Sequence, residues 1–297
     1  MQIKIDRNNL IRLLKKTQRP QTVAGKSMEQ VYGCMIEISS EPNHEDLSQP
    51  EHTIYTCSLV KDGVTSVSTF REYAEEIQGE GQIPVPNIND LLGVLSMHNT
   101  PVNLTYTDGK LRIKSGGKQT TLAVSDNALA FPHSPDMLKE WNEKSKRIAG
   151  KFLYNNTDLE YPCPTYTKND GEILTPIYHI TISANVLYEA FRCDGINGQK
   201  LNNYTLNFKE DDGLYVQVGN ELKGQTESLI YEWSGFHDTQ TTVNGGLENV
   251  LKHIDGEIGL SVFDFTEANM GYPVVITTPT HELIYQAANL GELNYVR

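Results

Sequence analysis

Basic side chains gather near the start of the chain at a spacing that suits contact with a row of phosphates. Arg12, Lys15, Lys16 and Arg19 follow one another within eight residues, and no acidic residue lies among them. Residues three or four apart share one face of a helix, so the spacing predicts an exposed basic stripe. Such a stripe can neutralise the phosphates of nucleic acid. The alternative interpretation is a solvated helix face that binds nothing.

Patterns typical of enzymes and of metal sites are missing from the sequence. No P-loop and no G-x-S-x-G occurs, and the eight histidines form no H-E-x-x-H. The four cysteines (Cys34, Cys57, Cys163 and Cys193) have no paired short spacing, which predicts free thiols. We therefore expect no catalytic residue, no metal site and no cofactor.

Length and composition predict a folded protein rather than a membrane protein or a disordered one. The 297 residues suffice for two domains with cores of their own. No run of about 18 apolar residues and no signal peptide is present, so we expect a cytoplasmic location without a membrane partner. The net charge of −13 disfavours nucleic-acid binding unless the cations are segregated onto one surface.

The basic stripe belongs to a strand–helix pair that recurs 177 residues later, counted from Ile3 to Ile180. Two alternating isoleucines predict a half-buried strand in each copy, and three apolar residues at helical spacing predict an amphipathic helix. A short polar residue, Asp6 or Ser183, stands where a helix N-cap is expected. The apolar residues are Ile3, Ile5, Leu10, Leu13 and Leu14 in the first copy and Ile180, Ile182, Leu187, Ala190 and Phe191 in the second.

A second helix also occurs twice, each time directly before an alternating strand. The two copies are 159 residues apart, counted from Ile88 to Leu247, so the first copy has 18 additional residues between its helices. We assign these to the acidic, proline-bearing segment from Glu37 to Thr53, interpreted as a surface loop. The apolar residues are Ile88, Leu91, Leu92 and Leu95, and then Leu247, Val250, Leu251 and Ile254.

The remaining helices differ in the charge that they expose. Arg192 lies on the exposed side of the third predicted helix, Lys200 in the loop after it, and Lys252 on the fourth, whereas the second helix offers no cation. Acidic residues are concentrated between Glu37 and Glu51 and between Glu72 and Glu80. This layout predicts a basic helical surface on an acidic protein.

Each copy of the repeat combines two helices with several strands, which turn signals such as Asp108-Gly109 separate into hairpins. This order predicts the α+β class, with two helices on one face of an antiparallel sheet in each of two tandem domains. The predicted domains are residues 1–133 and 177–297. Residues 134–176 lack periodicity and are interpreted as a connector, with a short helix from Leu138 to Ile148.

Tandem domains of this kind resemble the sliding clamps of DNA replication, and the resemblance covers nearly the whole chain. The segment INDLLGVLSMHNTPVNLTYTDGKLRIKSG resembles the second helix and the following hairpin of tailed-phage clamps. The segment YPVVITTPTHELIYQAANL is similar to the closing strands of proliferating cell nuclear antigen. The resemblance implies two tandem processivity-fold domains whose helices face DNA. The implied DNA-facing residues are Arg12, Lys15, Lys16, Arg19, Arg192, Lys200 and Lys252.

The same resemblance implies a function without catalysis. Clamp subunits join head to tail through edge strands, for which KQTTLAV and SLIYEW are the candidates here. The implied assembly is a homotrimer ring that encircles double-stranded DNA and tethers DNA polymerase for processive synthesis. The phage-like segment further implies a phage or viral origin and a location in the infected host cytoplasm.

The resemblance also implies a pocket for partner peptides. DNA polymerase and a clamp loader bind clamps through short motifs, and Pro273, Ala287 and Ala288 match the floor of that pocket. Family members commonly have an alanine-proline pair where this chain has two alanines. Trp141, Phe152 and Tyr154 are candidates for the pocket wall, with ordinary core packing as the alternative.

Two other hypotheses stay open at this point. One is a monomeric herpesvirus-type processivity subunit that grips DNA directly, which the net charge disfavours. The other is a non-clamp α+β protein, either a hydrolase or a ligand-binding protein with its site in the connector. The missing catalytic patterns disfavour that second alternative.

Overall fold

The computed structural model divides the chain into two compact units. The N-terminal unit comprises residues 1–18, 31–59 and 69–146, and the C-terminal unit comprises residues 19–30, 60–68 and 147–297. The structure describes residues 1–23, 26–31, 33–42, 50–60, 66–124, 134–154, 163–192, 203–220, 224–244, 247–280 and 282–288. The domain boundaries inferred from the sequence stay a prediction.

Five helices are present in the described part of the chain: α1 (Arg7–Thr17), α2 (Ile88–Ser96), α3 (Pro135–Ala149), α4 (Ala184–Arg192) and α5 (Leu247–Leu251). All four helices of the predicted repeat form, and α3 confirms the short helix expected within the connector. The last helix is shorter than its apolar spacing suggests, because Lys252 and His253 lie in a turn. The helices bury their apolar faces, as shown by Leu10, Leu13 and Leu14, which are inaccessible to solvent.

Two antiparallel sheets form most of the N-terminal unit. The first contains β1 (Gln2–Ile5), β7 (Glu76–Gln78), β9 (Val102–Thr107), β10 (Lys110–Ser115) and β11 (Lys118–Ala123) in the order β11-β10-β9-β1-β7. The second contains β4 (Cys34–Pro42), β5 (Pro50–Val60), β6 (Ser66–Tyr73) and β8 (Gln82–Val85) in the order β6-β5-β4-β8. Strand β11 is therefore an edge strand, as predicted for KQTTLAV.

The C-terminal unit repeats this plan with additional short strands. One sheet has the order β18-β17-β16-β19, from β16 (Asn203–Lys209), β17 (Gly213–Asn220), β18 (Gly224–Glu232) and β19 (Thr239–Asn244). Another row runs β15-β20-β21-β22, from β15 (Tyr178–Ser183), β20 (Glu257–Val262), β21 (Val274–Thr277) and β22 (Leu283–Gln286). Two small sheets contain β12 (Phe152–Tyr154), β13 (Pro164–Thr167) and β14 (Ile173–Leu174), and β2 (Arg19–Val23) with β3 (Lys26–Val31).

The internal repeat is visible in the strand pairing. In the N-terminal unit, the strand before the first helix pairs with the strand after the second helix, with Ile3 opposite Leu104. The C-terminal unit has the same antiparallel arrangement between β15 and β20, with Ile180 opposite Leu260. Both units therefore have the α+β organisation that the sequence predicts.

At each of these strand pairs, hydrogen bonds join the start of the first helix to the segment between the second helix and the strand that follows it. Asp6 caps α1 by accepting from the backbone N–H groups of Asn8 and Asn9, and it also accepts from the Thr100 hydroxyl at 2.7 Å. The bond from Thr100, followed by the two backbone bonds, holds the pKa of Asp6 below its usual value. In the C-terminal unit, the Ala184 N–H donates to the Gly256 carbonyl at 2.9 Å.

The acidic segment interpreted as an inserted loop is largely a hairpin. Strands β4 and β5 pair continuously from Glu37 opposite Tyr55 to Pro42 opposite Pro50, and the intervening residues 43–49 lie outside the described part of the chain. The prediction of an irregular loop from Glu37 to Thr53 is therefore wrong. Strand formation was not predicted because this segment lacks the apolar alternation that identifies strands, and Glu41 pairs with Glu51 in the ladder.

A buried histidine links α2 to the hairpin that follows it. His98 is 1% exposed, and its ring nitrogens lie 2.9 Å from the hydroxyl oxygens of Ser115 and Thr120. Burial, aided by the positive charge of Lys118, lowers the pKa of His98 below its ordinary value. The neutral imidazole is thus the form that the fold favours.

The depressed pKa of His98 predicts a loss of stability in mild acid. Below about pH 6.5 the unfolded chain binds a proton that folded His98 resists, so the free energy of unfolding falls as the pH drops toward the lowered pKa. Urea unfolding of the His98→Gln variant should show a weaker dependence on pH in this window than the unchanged protein. The His237→Gln variant, altered at an exposed histidine, should retain the full dependence. An unchanged pH dependence in His98→Gln contradicts the assignment.

Candidate nucleic-acid interface

Helix α1 presents fewer cations than its sequence suggests, because it ends before Arg19. The helix stops at Thr17, and Gln18 is extended with ψ 129°. Arg19 precedes Pro20, and the proline ring disfavours helical backbone in the residue before it. The prediction that Arg19 extends the basic stripe of α1 is wrong, since Arg19 begins β2.

Two further cations of the stripe are held by a buried carboxylate. Arg12 donates from Nε and Nη2 to the two carboxylate oxygens of Glu72, at 2.6 and 2.7 Å. Lys16 is 4% exposed, and its Nζ lies 3.3 Å from Oε1 of Glu72 and 5.7 Å from the centre of the Phe70 ring. The expectation that Lys16 lies on the solvent side of α1 is therefore wrong. The guanidinium of Arg12 is paired with Glu72 of the same unit.

The acidic residues that follow Glu72 in the sequence do not indicate that its side chain is buried. In the sequence it begins the acidic stretch that runs to Glu80, but it belongs to β6 and is 5% exposed. The signal that identifies it is strand periodicity, because Ser68, Phe70 and Glu72 alternate along β6 and all three are buried. A carboxylate at an inward position requires a cationic partner.

Lys15 is the cation of α1 that remains exposed. It lies in the last turn of the helix and makes no ion pair with the described residues. A cation at a helix C-terminus is favoured by the helix dipole, so its position costs the fold little. Helix α2 adds no cation, as predicted, and its exposed Asn89 instead accepts a hydrogen bond from Gln18 at 2.9 Å.

In the C-terminal unit, the predicted cations differ in how available they are. Arg192 is exposed at the end of α4 but donates to Glu189 of the same helix at 3.1 Å. Lys252 is exposed just after α5 and has no ion pair within the described ranges. The predicted site residue Lys200 lies outside the described residues.

These positions make the helices of each unit only weakly basic. Of the predicted cations whose side chains are described, Lys15 and Lys252 are exposed and unpaired, and Arg192 shares its charge with Glu189. Each lysine can replace the counterions of about one phosphate. Such isolated lysines can attract a polyanion without fixing its position along the protein. The DNA-facing role of these residues stays a prediction.

The three residues predicted for the peptide pocket come together at one end of a strand pair. Val274 of β21 lies opposite Gln286 of β22, so Pro273 and Ala287 follow at the same end of the ladder. Pro273 is buried and its carbonyl accepts from the Phe263 N–H at 3.1 Å, whereas Ala287 and Ala288 are partly exposed. The strand register is compatible with a peptide pocket formed by these residues. Their assignment to such a pocket stays a prediction.

Phe152, a candidate for the pocket wall, is part of the core. It is 4% exposed, and its ring centre lies 5.1 Å from that of Tyr166 and 5.3 Å from that of Tyr285. Burial raises the pKa of Tyr285 to about 12. Core packing is therefore the better interpretation of Phe152. Trp141 lies on α3, in the N-terminal unit, and the side chain of Tyr154 is outside the described part.

The described residues contain no group of three or more histidine, cysteine or acidic side chains that could hold a metal ion. Cys34, Cys57 and Cys163 are free thiols, and burial raises the pKa of Cys57 to about 12. Cys193 lies outside the described residues. Among the helices that the structure describes, none is long and apolar enough to cross a membrane.

Solved structures that share this architecture are bacterial sliding clamps. The beta sliding clamp of C. crescentus matches with a TM-score of 0.60 and 16% identity over 96% of this chain and 64% of that chain. The DNA polymerase III beta subunit of Thermotoga maritima matches with a TM-score of 0.56 and 12% identity over 97% of this chain and 64% of the other. The H. pylori beta clamp matches with a TM-score of 0.54 and 15% identity over 97% and 63%.

These matches give the chain the sliding-clamp fold. The chain spans about 64% of the length of the clamps that it matches. No family model and no curated protein matches the sequence. The fold class expected from the repeat is confirmed, while the specific likeness to phage clamps and to proliferating cell nuclear antigen stays a prediction.

The Arg12–Glu72–Lys16 cluster predicts a large loss of stability on neutralising Glu72. The Glu72→Gln variant removes the buried carboxylate charge that lies 3.3 Å from Lys16 Nζ and pairs with Arg12, so we expect the free energy of unfolding to fall by about 3 kcal/mol. Urea unfolding followed by circular dichroism measures this change. Glu76→Gln is the matched control, because Glu76 pairs with Lys4 at the surface, and its midpoint should stay close to that of the unchanged protein. Equal midpoints for both variants contradict a structural role for the cluster.

Proposed function

We propose that the protein is a DNA sliding clamp, which encircles duplex DNA and tethers DNA polymerase and other replication proteins without catalysing a reaction. The observation that carries this proposal is the clamp fold over 96% of the chain. It is supported by the exposed Lys15 and Lys252, which belong to or directly follow repeat helices. Few phosphate contacts give weak, salt-sensitive affinity, which suits a protein that slides along DNA.

A ring of this protein requires more copies than a ring of the longer clamps with the same circumference. The chain spans about 64% of their length, so equal circumference needs roughly one and a half times as many subunits. We retain the homotrimer as the proposed assembly. The phage or viral origin, the host-cytoplasm location and the clamp loader as a partner are parts of the same proposal.

The proposed interface joins β11 of one copy to β18 of the next. Each of these strands ends its sheet, so each offers unpaired backbone groups for pairing with another chain. The two edges differ in charge, because Lys118 begins β11 while Glu232 ends β18 and Glu227 of β18 pairs with Lys209 at 3.1 Å. Leu229 of β18 is 42% exposed, an apolar side chain that such an interface can bury.

Replacing Leu229 with lysine should dissociate the oligomer. A charged side chain in the buried part of an interface carries a desolvation cost, so the Leu229→Lys variant should remain monomeric at concentrations where the unchanged protein approaches three subunits. Light scattering across a wide concentration range gives the mass. Ile177→Lys is the control, because Ile177 is also 42% exposed but lies before β15. A monomeric unchanged protein at every concentration refutes the ring.

Encirclement is tested by whether the protein stays linked to DNA with blocked ends, rather than by its affinity for DNA. Protein is mixed with linear duplex DNA biotinylated at both ends, the ends are blocked with streptavidin, and the mixture is passed through a sizing column at high salt. A ring should co-elute with the blocked DNA despite the salt and should leave once a nuclease cuts between the blocks. Release by salt alone contradicts encirclement, because it indicates electrostatic contact.

The contribution of the two exposed lysines is measured separately at low salt. The Lys15→Gln/Lys252→Gln variant should bind duplex DNA more weakly, and the slope of log affinity against log salt should flatten by about 0.9 for each phosphate that is no longer neutralised. Lys139→Gln, an exposed change on α3, serves as the control and should leave the slope unchanged. An unaltered slope in the double variant removes both lysines from the DNA path.

A further inference from the structure

An open cavity in the C-terminal unit lies apart from the predicted peptide pocket. It is bounded by the hairpin of β13 and β14 and by the segment between β20 and β21, and its volume is about 700 Å³. This size accommodates several side chains of a peptide. Pro273, Ala287 and Ala288 do not line it. Its apolar and aromatic lining includes Tyr166, Phe265 and Met270.

One wall of the cavity is aromatic and apolar. The rings of Tyr166 and Phe265 pack with centres 4.8 Å apart, and Phe265 is only 7% exposed, so the wall is anchored in the core. Met270 is 42% exposed at the cavity, although methionine side chains are usually buried. Rigid rings beside an adaptable thioether form a surface on which hydrocarbon chains can pack.

The remaining lining is strongly acidic. Asp170, Glu172, Asp264 and Glu267 face one cation of the described lining, Lys168, whose Nζ lies 2.7 Å from Glu172. The backbone holds two of these carboxylates in place, because Asp264 accepts from the Thr266 N–H at 2.9 Å and Asp170 from the Glu172 N–H at 3.1 Å. A second ammonium lies beside the lining, since Lys151 Nζ donates to Asn169 at 2.7 Å and is 5.7 Å from the centre of the Tyr166 ring. Four carboxylates against two ammonium groups leave a net charge of −2 around the cavity.

We propose that this cavity binds a basic segment of a partner protein in which arginine or lysine alternates with apolar residues. The acidic lining complements the charged heads, and the Tyr166–Phe265 wall and Met270 receive the hydrocarbon stems and the apolar neighbours. Arginine suits the site best, since its planar group both stacks on rings and pairs with carboxylates. Binding here requires neither DNA nor a ring, so the proposal stands or fails separately from the clamp function.

The test is fluorescence anisotropy with full-chain protein and a labelled hexapeptide of alternating arginine and leucine. The Asp170→Asn/Glu267→Gln variant removes two cavity charges without changing side-chain shape, and it should weaken binding about fivefold or more. Met270→Ser keeps every charge and should also weaken binding, because it removes apolar surface. The matched control, Glu210→Gln/Glu257→Gln, removes two exposed carboxylates of the same unit and should stay within about twofold of the unchanged protein.

Three results would overturn the proposal. Equal losses in the cavity variant and in the matched control indicate general attraction to an acidic protein. Equal binding of a hexapeptide of alternating glutamate and leucine eliminates the charge requirement. Displacement of the peptide by spermine at matched charge, together with unchanged binding to Met270→Ser, identifies a site for small polycations instead of a peptide.

Discussion

The pairing of the strand before the first helix with the strand after the second is the constraint on which each unit depends. It places the start of one helix beside the segment that follows the other, where Asp6 and Thr100 bond in the N-terminal unit and Ala184 bonds Gly256 in the C-terminal unit. The two helices of each unit then contact each other and bury their apolar faces. The buried isoleucines Ile3 and Ile180 occupy equivalent positions in the two ladders. The two units thus share this strand pairing, although the residues around it differ almost completely.

Much of the fold could be predicted from the sequence because apolar spacing survives this divergence. The isoleucine pairs and the helical leucines identify the strands and helices in both copies, and they are buried as expected. The extended β4–β5 hairpin could not be predicted in the same way, since its pairing relies on backbone hydrogen bonds between polar residues such as Glu41 and Glu51. Apolar periodicity is the signal by which a strand is identified, and this polar segment lacks it.

The candidate interface was harder to predict, for a related physical reason. Helical spacing identifies which side chains share a face, but it does not show what approaches that face from another element. Glu72 approaches α1 from β6 and engages Arg12 and Lys16, which appear free when α1 is considered alone. Arg19 is different, because the following Pro20 already indicates the end of the helix. Charge at a surface therefore has to be counted after pairing between elements.

The edge strands β11 and β18 are chemically unlike. Strand β11 begins with a lysine, whereas β18 bears glutamates and an exposed leucine. Like edges bring two chains together around a two-fold axis, which makes the opposite sides of an assembly identical. Unlike edges instead arrange every copy in the same direction, so a closed assembly has two different sides. In the ring that we propose, DNA meets one side first, and any enzyme bound to a given surface of the subunit is presented on one side of the assembly only. The pairing of unlike edges thus gives the proposed ring a direction along the duplex.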